Sequence, residues 1–300
     1  MPAIDAQSAA NAQLRKALES ARNADGGWGY YSGKASRLEP TCWTLLALGA
    51  TTGFKVPDVG AKWLAGCQQQ SGWLVERSDL PVNIAFNALA AFTLFHYREL
   101  AGDDVRRRVL AALLSSKGIA APASETMRQD NSLQGWSWTD ATFSWVEPTC
   151  WGILALKKAR ASGVAEPAAP ARIAEAEKLL IDRRCQPGGW NFGNASVMGQ
   201  DLRPYVPTTA LGLLAMQDRR QEEAVVRGLT TLETIWRDEI SALALGLSLV
   251  CLRVYGRPSE ETRARLLAHA ADALTFGNHA GIAQALFALS LSDQPHAFRL

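Results

Sequence analysis

The sequence predicts an all-α protein, an (α/α)6 toroid in which six helical hairpins set their inner helices around a central cavity. Three observations predict it. A Gly-Trp turn followed by a Pro-bearing helix start recurs along the chain. Each recurrence separates an amphipathic stretch from a nearly all-apolar one. Six such pairs fit within 300 residues as one domain, in units 8–57, 58–102, 103–170, 171–218, 219–258 and 259–292. A helix apolar on every side is buried, and a closed ring of repeats leaves no terminal repeat to cap.

The first unit carries Gly26-Gly27-Trp28 and then Leu38-Glu39-Pro40-Thr41-Cys42-Trp43. The third repeats it with Gly135-Trp136 and Val146-Glu147-Pro148-Thr149-Cys150-Trp151, at the same Trp-to-Trp spacing. The fourth has Gly188-Gly189-Trp190 and, after a longer connection, Val206-Pro207-Thr208-Thr209. The second reads Ser71-Gly72-Trp73 and Leu80-Pro81-Val82-Asn83. Glycine suits the left-handed residue after a helix, and proline suits the first turn of the next. Inner helices are expected to start near Glu39, Pro81, Glu147, Pro207, Asp238 and Gly281. Outer ones are expected over Ser8–Arg22, Asp58–Cys67, Asp103–Ser115, Ala171–Arg184, Arg219–Leu232 and Ser259–Leu274. Trp28, Trp73, Trp136 and Trp190 read as packing residues of the turns.

Nearly half the residues are hydrophobic (48%), ample for a large core, and the net charge of +2 gives no electrostatic case for nucleic acid. Arg106, Arg107 and Arg108 read as a solvated helix face. The stretch 1–22 lacks an apolar core of about 7–15 residues. No apolar run approaches the roughly 18–20 residues that cross a bilayer. A soluble, cytoplasmic protein without a transmembrane segment is therefore expected. Among the five cysteines, Cys42 matches Cys150 and Cys67 matches Cys185 in the repeat, which marks packing positions rather than a disulfide framework.

At these turns and helix starts the chain resembles squalene and terpene cyclases and the β subunits of protein prenyltransferases. Cys67-Gln68-Gln69-Gln70-Ser71-Gly72-Trp73 and Cys185-Gln186-Pro187-Gly188-Gly189-Trp190 look like the cyclases' Gln-to-Gly-x-Trp repeat. The resemblance implies the toroid fold and an isoprenoid or other hydrophobic ligand in its cavity. It also implies prenyl-transferring (transferase) or terpenoid-modifying chemistry if the protein is an enzyme. The Asp-x-Asp-Asp-Thr-Ala acid motif of type II cyclases has no counterpart. Its place is taken by Arg37-Leu38-Glu39-Pro40-Thr41-Cys42 and Trp145-Val146-Glu147-Pro148-Thr149-Cys150. The prenyltransferase zinc triad is incomplete as well, since Pro40 stands at the metal Asp and no His opens the neighbouring helix. No cofactor is expected from the residues themselves. A Mg²⁺ ion would accompany a diphosphate ligand, and a helical protein partner is what the prenyltransferase β subunits imply.

Several residues are candidates for a ligand site. Lys34 and Arg37 precede Cys42 by eight and five residues, as the diphosphate-binding pair of the prenyltransferases would. Glu39 and Glu147 occupy equivalent helix starts, where a carboxylate either offsets the helix dipole or faces the cavity. Trp43 and Trp151 follow one turn later and are expected to line an apolar pocket, as aromatics that stabilise carbocations do. Asp201, Arg203 and Tyr205 lie in the longest turn-to-helix connection. Trp236, Arg237 and Asp238 open the fifth inner helix, and His279 opens the sixth.

Two other readings stand beside the isoprenoid one. A carbohydrate-active toroid would draw a carboxylate pair from Glu39, Glu147, Asp140, Asp201 and Asp238. A non-catalytic interaction module would have its cavity plugged by its own side chains.

Overall fold

The computed structural model describes residues 3–51, 58–122, 128–292 and 295–300. The expected unit boundary at residue 57 lies outside them. The chain forms α1 (Ala3–Ser20), α2 (Leu38–Ala50), α3 (Asp58–Gly66), α4 (Ile84–His96), α5 (Asp103–Ser115) and α6 (Val146–Ala161). These are followed by α7 (Ala169–Asp182), α8 (Val206–Ala215), α9 (Glu223–Ile235), α10 (Ala242–Val254), α11 (Glu260–Ala268), α12 (Ala270–Phe276) and α13 (His279–Ser290). A two-stranded hairpin, β1 (Ser196–Val197) and β2 (Gln200–Asp201), interrupts the connection between α7 and α8.

The inner helices α2, α4, α6, α8, α10 and α13 are buried along almost their whole length. Each packs on the next, and α13 returns to α2. The outer helices α3, α5, α7, α9 and α11 each pack on the inner helix that precedes them in the chain, and α1 and α12 pack on α13. The fifth inner helix starts at Ala242, not near Asp238. Residues 236–238 form a 3-10 turn that prolongs α9. No proline fixes a start at Asp238, and the apolar run begins only after Ser241.

One hydrogen-bond pattern builds the corners of the first, third and fourth units. Gly26 and Gly188 take φ of +96° and +112°, the left-handed backbone that reverses the chain. The buried Trp two residues beyond Gly26 and Gly188, and Trp136 in the third unit, donate their indole N–H to the outer helix. Trp28 reaches Leu18 O (2.7 Å), Trp136 reaches Leu113 O (2.9 Å) and Trp190 reaches Leu180 O (2.6 Å). Their backbone N–H groups donate to the hydroxyls of Thr41, Thr149 and Thr209 at 2.9–3.1 Å. Each hydroxyl turns back to the carbonyl of the same Trp. The Pro-Thr signature is therefore a reader of backbone groups. A Cβ on Gly152 would stand 2.4 Å from the Trp136 ring, so the inner helix needs glycine there.

The second unit keeps the pattern with other residues. Gly72 has φ +90°, which aligns Trp73 with Gly27 and Leu74 with Trp28. The buried packing residue is Leu74, and Trp73 is only partly buried. Asn87 takes the threonine's place, accepting from Leu74 N at 2.7 Å and donating to Leu74 O at 3.0 Å. The expected equivalence of Trp73 with the other turn tryptophans is thus out of register by one residue.

A second tie joins neighbouring units. The first N–H of an inner helix donates across to the next turn: Ile84 to Trp138 O (2.8 Å), and Val146 to Phe192 O (3.0 Å). His279 N reaches Tyr30 O (2.8 Å) in the same way, which joins the last unit to the first. Leu38 N uses the Glu76 carboxylate instead, at 2.5 Å. These bonds satisfy donors that a helix start otherwise leaves open.

One sequence expectation changes, and the reading of the cysteines as packing positions stands. Arg106 is buried, donating to the carbonyls of Arg98 and Ala101, so that stretch is not wholly solvated. All five cysteines are free, and Cys42, Cys150, Cys185 and Cys251 are buried. Among the described residues no helix is long and apolar enough to cross a membrane.

Thr149→Val keeps the side-chain shape but leaves the buried Trp136 N–H without its partner, while the Trp136 carbonyl keeps the N–H of Trp145. We expect a loss of about 1–3 kcal/mol in urea denaturation. Leu74→Ala should cost about 2–5 kcal/mol and clearly more than Trp73→Ala. The reverse order would put the second staple back at Trp73.

Candidate functional site

The corner pattern places α2 and α6 in the same register. Glu39 and Glu147 are each the second residue of their helix, after an extended Arg37 or Trp145. Side chains four apart share a helix face, so Trp43 and Trp151 stand one turn below the carboxylates. The two tryptophans meet edge to face with ring centroids 5.7 Å apart.

Glu39 accepts a 2.6 Å hydrogen bond from the Tyr30 hydroxyl. Tyr30 is fixed in turn by its carbonyl, which accepts the His279 N–H. Burial raises the Glu39 carboxyl above its ordinary value, and the Glu76 charge adds to this. The Tyr30 bond and Arg37 act in the opposite direction. Burial also drives the Tyr30 hydroxyl well up, with Glu39 adding to it. Glu147 is pushed up to about 7, first by burial and then by the charge of Glu39, against a hydrogen bond from Trp151. Two desolvated carboxyls that feel one another resist double ionisation. Near neutrality the pair therefore resists carrying two full charges.

Beside Glu39 opens a recess of about 610 Å³. Its walls include Tyr30, Tyr31, Ile240, Leu243 and Phe276, and Glu39 and Asp272 supply carboxylates. Ile240 and Phe276 are 66% and 79% exposed, which gives the recess an apolar lip. The arrangement offers an apolar surface next to a proton-bearing carboxyl pair.

The remaining candidates fall in other places. Lys34 is exposed on the turn. Arg37 is paired with Glu76 and lies 6.0 Å from the Tyr30 ring centre, so its charge is already met. Trp43 and Trp151 are 2% and 3% exposed. Instead of lining open space they pack against Phe92, Phe287 and Phe298, and at their level the ring is full. Asp201 pairs with Arg128 at 3.1 Å. Arg203 lies over Tyr205, whose ring packs on Phe192 with centroids 5.2 Å apart. This loop borders a separate groove of about 390 Å³ through Gly193 and Asn194.

Trp236 is buried, Arg237 pairs with Glu261 at 3.2 Å, and Asp238 is exposed. The recess takes Ile240 to Leu243 in their stead. His279 is buried with Nδ1 2.7 Å from Gly29 O, a structural tie rather than a cavity ligand. Among the described residues no group of three or more His, Cys, Asp or Glu side chains is placed to hold a metal ion.

Sequence reasoning missed Tyr30, Ile240, Leu243 and Phe276. The repeat gave one usable signal. Tyr30 stands two residues beyond its Trp, the position whose carbonyl receives the neighbouring helix. Nothing in the sequence marked Phe276 or Ile240.

Solved structures share this fold. The apo type II terpene cyclase MstE from Scytonema superposes with a TM-score of 0.59 at 16% identity, covering 92% of this chain and 78% of that one. A variant of the same cyclase in complex with its product, merosterolic acid A, gives 0.58 at 16% identity, covering 96% and 97%. Native E. coli alpha-2-macroglobulin gives 0.50 at 17% identity over 96% of this chain and 17% of that much longer one. No protein-family model matches the sequence, and no curated protein matches it. The likeness is one of fold: a mostly helical chain with α/α toroid neighbours.

The raised Glu147 gives a pH signature. Its folded value lies above the ordinary value of 4.5, so folding takes up a proton between those limits. The carboxyl's contribution is complete below pH 4.5 and is lost as pH rises through about 7. Glu147→Gln should remove that slope and stabilise the protein at pH 8 by on the order of 2 kcal/mol. Parallel stability curves for the two proteins from pH 4 to 8 would show that Glu147 titrates normally.

Proposed function

We propose that this chain is a six-hairpin α/α toroid of the terpene-cyclase kind that binds an uncharged hydrophobic small molecule, isoprenoid in character, at the mouth of its ring. Glu39 lines the recess there, and the pair it forms with Glu147 serves as the proton donor. The observation that carries the reading is the pairing of Glu39 and Glu147 above two tryptophans and beside an apolar recess. The cyclic packing of inner helices and the His279–Tyr30 tie support the closed ring. A terpene cyclase of the same fold, solved with a terpenoid product, supports the ligand class.

A carboxyl that keeps its proton near pH 7 can transfer it to an electron-rich carbon or oxygen of a bound ligand and recover it from water or product. Glu39 is held by Tyr30 and stabilises charge that develops nearby. An uncharged ligand is favoured over a diphosphate for two reasons. Arg37 is already engaged by Glu76, and two carboxyls at the mouth oppose an added anion. The apolar lip likewise favours a hydrocarbon over a glycan.

Thermal unfolding with farnesol, with geranylgeraniol and with the corresponding diphosphates, each with and without Mg²⁺, tests the reading. Native-state binding raises the midpoint by mass action. A saturable rise with the alcohols that is reduced in Leu243→Asp is expected. A rise confined to the diphosphates, and lost in Lys34→Ala with Arg37→Ala, would move the ligand to the basic turn.

A further inference from the structure

The groove of about 390 Å³ at the turns of the third and fourth units shares no lining residue with the mouth recess. Its size lies within the roughly 300–1,000 Å³ of small-molecule sites. One part of its wall is aromatic: Phe143 and Trp145 are 55% and 36% exposed. The other part is a set of carboxamides, Gln129, Asn131 and Asn194.

The carboxamides are held in one order. Arg183 Nη2 donates to Asn131 Oδ1 at 3.2 Å. Gln129 Nε2 donates to the same oxygen at 3.3 Å and to Asn194 Oδ1 at 2.8 Å. A guanidinium only donates, so Asn131 must present its oxygen, Gln129 its NH2 and Asn194 its oxygen. That order leaves Gln129 Oε1 and Asn194 Nδ2 without a partner among the described residues, one acceptor and one donor on adjoining amides. The buried Asn191 fixes the turn that carries Asn194. It accepts from Gly193 N at 3.0 Å and donates to Asn194 O at 2.7 Å.

The aromatic part is equally built. A Cβ on Gly193 would stand 3.3 Å from the Trp145 ring, so the fourth turn lies against one side of the indole. Phe143 follows a turn in which Ala141 holds φ at +56°, left-handed backbone that a residue with a Cβ adopts at a cost. The groove offers no open charge. Among its described lining residues the one charged side chain is Arg183, and Asp182 meets it at 3.0 Å.

We propose that this groove binds a pyranose ring of a neutral glycan and does not cleave it. A pyranose has a face of C–H groups and a rim of hydroxyls. The C–H face suits the negative ring faces of Trp145 and Phe143. Each hydroxyl both donates and accepts, so two neighbouring ones serve Gln129 Oε1 and Asn194 Nδ2 together. A hydrocarbon would cover that pair and leave it unsatisfied. An anion, a nucleotide's phosphate included, finds no unmatched cation here. Glycoside cleavage needs two carboxyl groups beside the bond, and the described lining has none. The site uses neither Glu39 nor Glu147 and does not depend on the ligand proposed at the mouth.

Calorimetric titration of the full chain with cellotetraose, maltotetraose and mannotetraose tests the proposal, with trigalacturonic acid and adenosine as charged and flat controls. At least one neutral probe should bind saturably, with Kd below about 1 mM, and chromatography should recover it intact. Trp145→Ala, Phe143→Ala and Gln129→Ala should each weaken that binding at least tenfold, and saturating farnesol should not compete with it.

Five results would overturn the proposal. They are no saturable binding of any neutral probe, unchanged affinity in Phe143→Ala and Gln129→Ala, tighter binding of either control than of every neutral probe, cleavage of the bound probe, and its displacement by farnesol. Should Trp145→Ala fail to fold, Phe143→Ala and Gln129→Ala decide, since both alter side chains at least partly open to solvent.

Discussion

The architecture of the first four units depends on one exchange of hydrogen bonds at the corner. A threonine hydroxyl near the start of an inner helix serves both backbone groups of the tryptophan beyond the turn. Buried backbone groups must be paired, and a connection that passes under a large indole has no water to do it. The threonine supplies the pairing, and in doing so it fixes where the inner helix begins. Asn87 shows that the constraint is chemical. A side chain that both donates and accepts at that distance suffices, and a leucine can stand for the tryptophan above it.

The site follows from that register. Because α2 and α6 start at equivalent points, their second residues present carboxylates at the same height and their sixth residues present tryptophans below. The desolvation that raises Glu147 is a consequence of the ring's depth, not of any local sequence feature. The same depth explains why Glu39 needs Tyr30. A buried carboxylate without a donor is costly, and the hydroxyl is delivered by the turn that also receives the last helix. Mouth chemistry and ring closure therefore meet in one loop.

The centre of the ring is occupied differently from its mouth. Above, the walls are apolar with two acids. Below, five aromatic rings pack together and a group of bases lies beneath them. The acids stand at the starts of α2 and α6, the bases His96 and Lys158 stand near the ends of α4 and α6, and the aromatic layer lies between.

The sequence by itself determined the helices and their inner or outer character. All-round apolarity and the Gly-Trp and Pro-Thr signals are local, and they located α2, α4, α6, α8 and α13 to within a few residues. It also singled out Glu39 and Glu147, because a repeat shows equivalent positions directly. It misjudged residues whose role depends on a neighbour. Arg37 looked free until Glu76 from the next turn met it, and His279 looked like a ligand until the first turn reached it. Trp43 and Trp151 looked like cavity walls because nothing local shows that Phe298, distant in the chain, lies against them. Only the tertiary structure decided these points. Charge pairing, desolvation and the filling of a cavity depend on which segments meet, and residue order records that only where a repeat forces it.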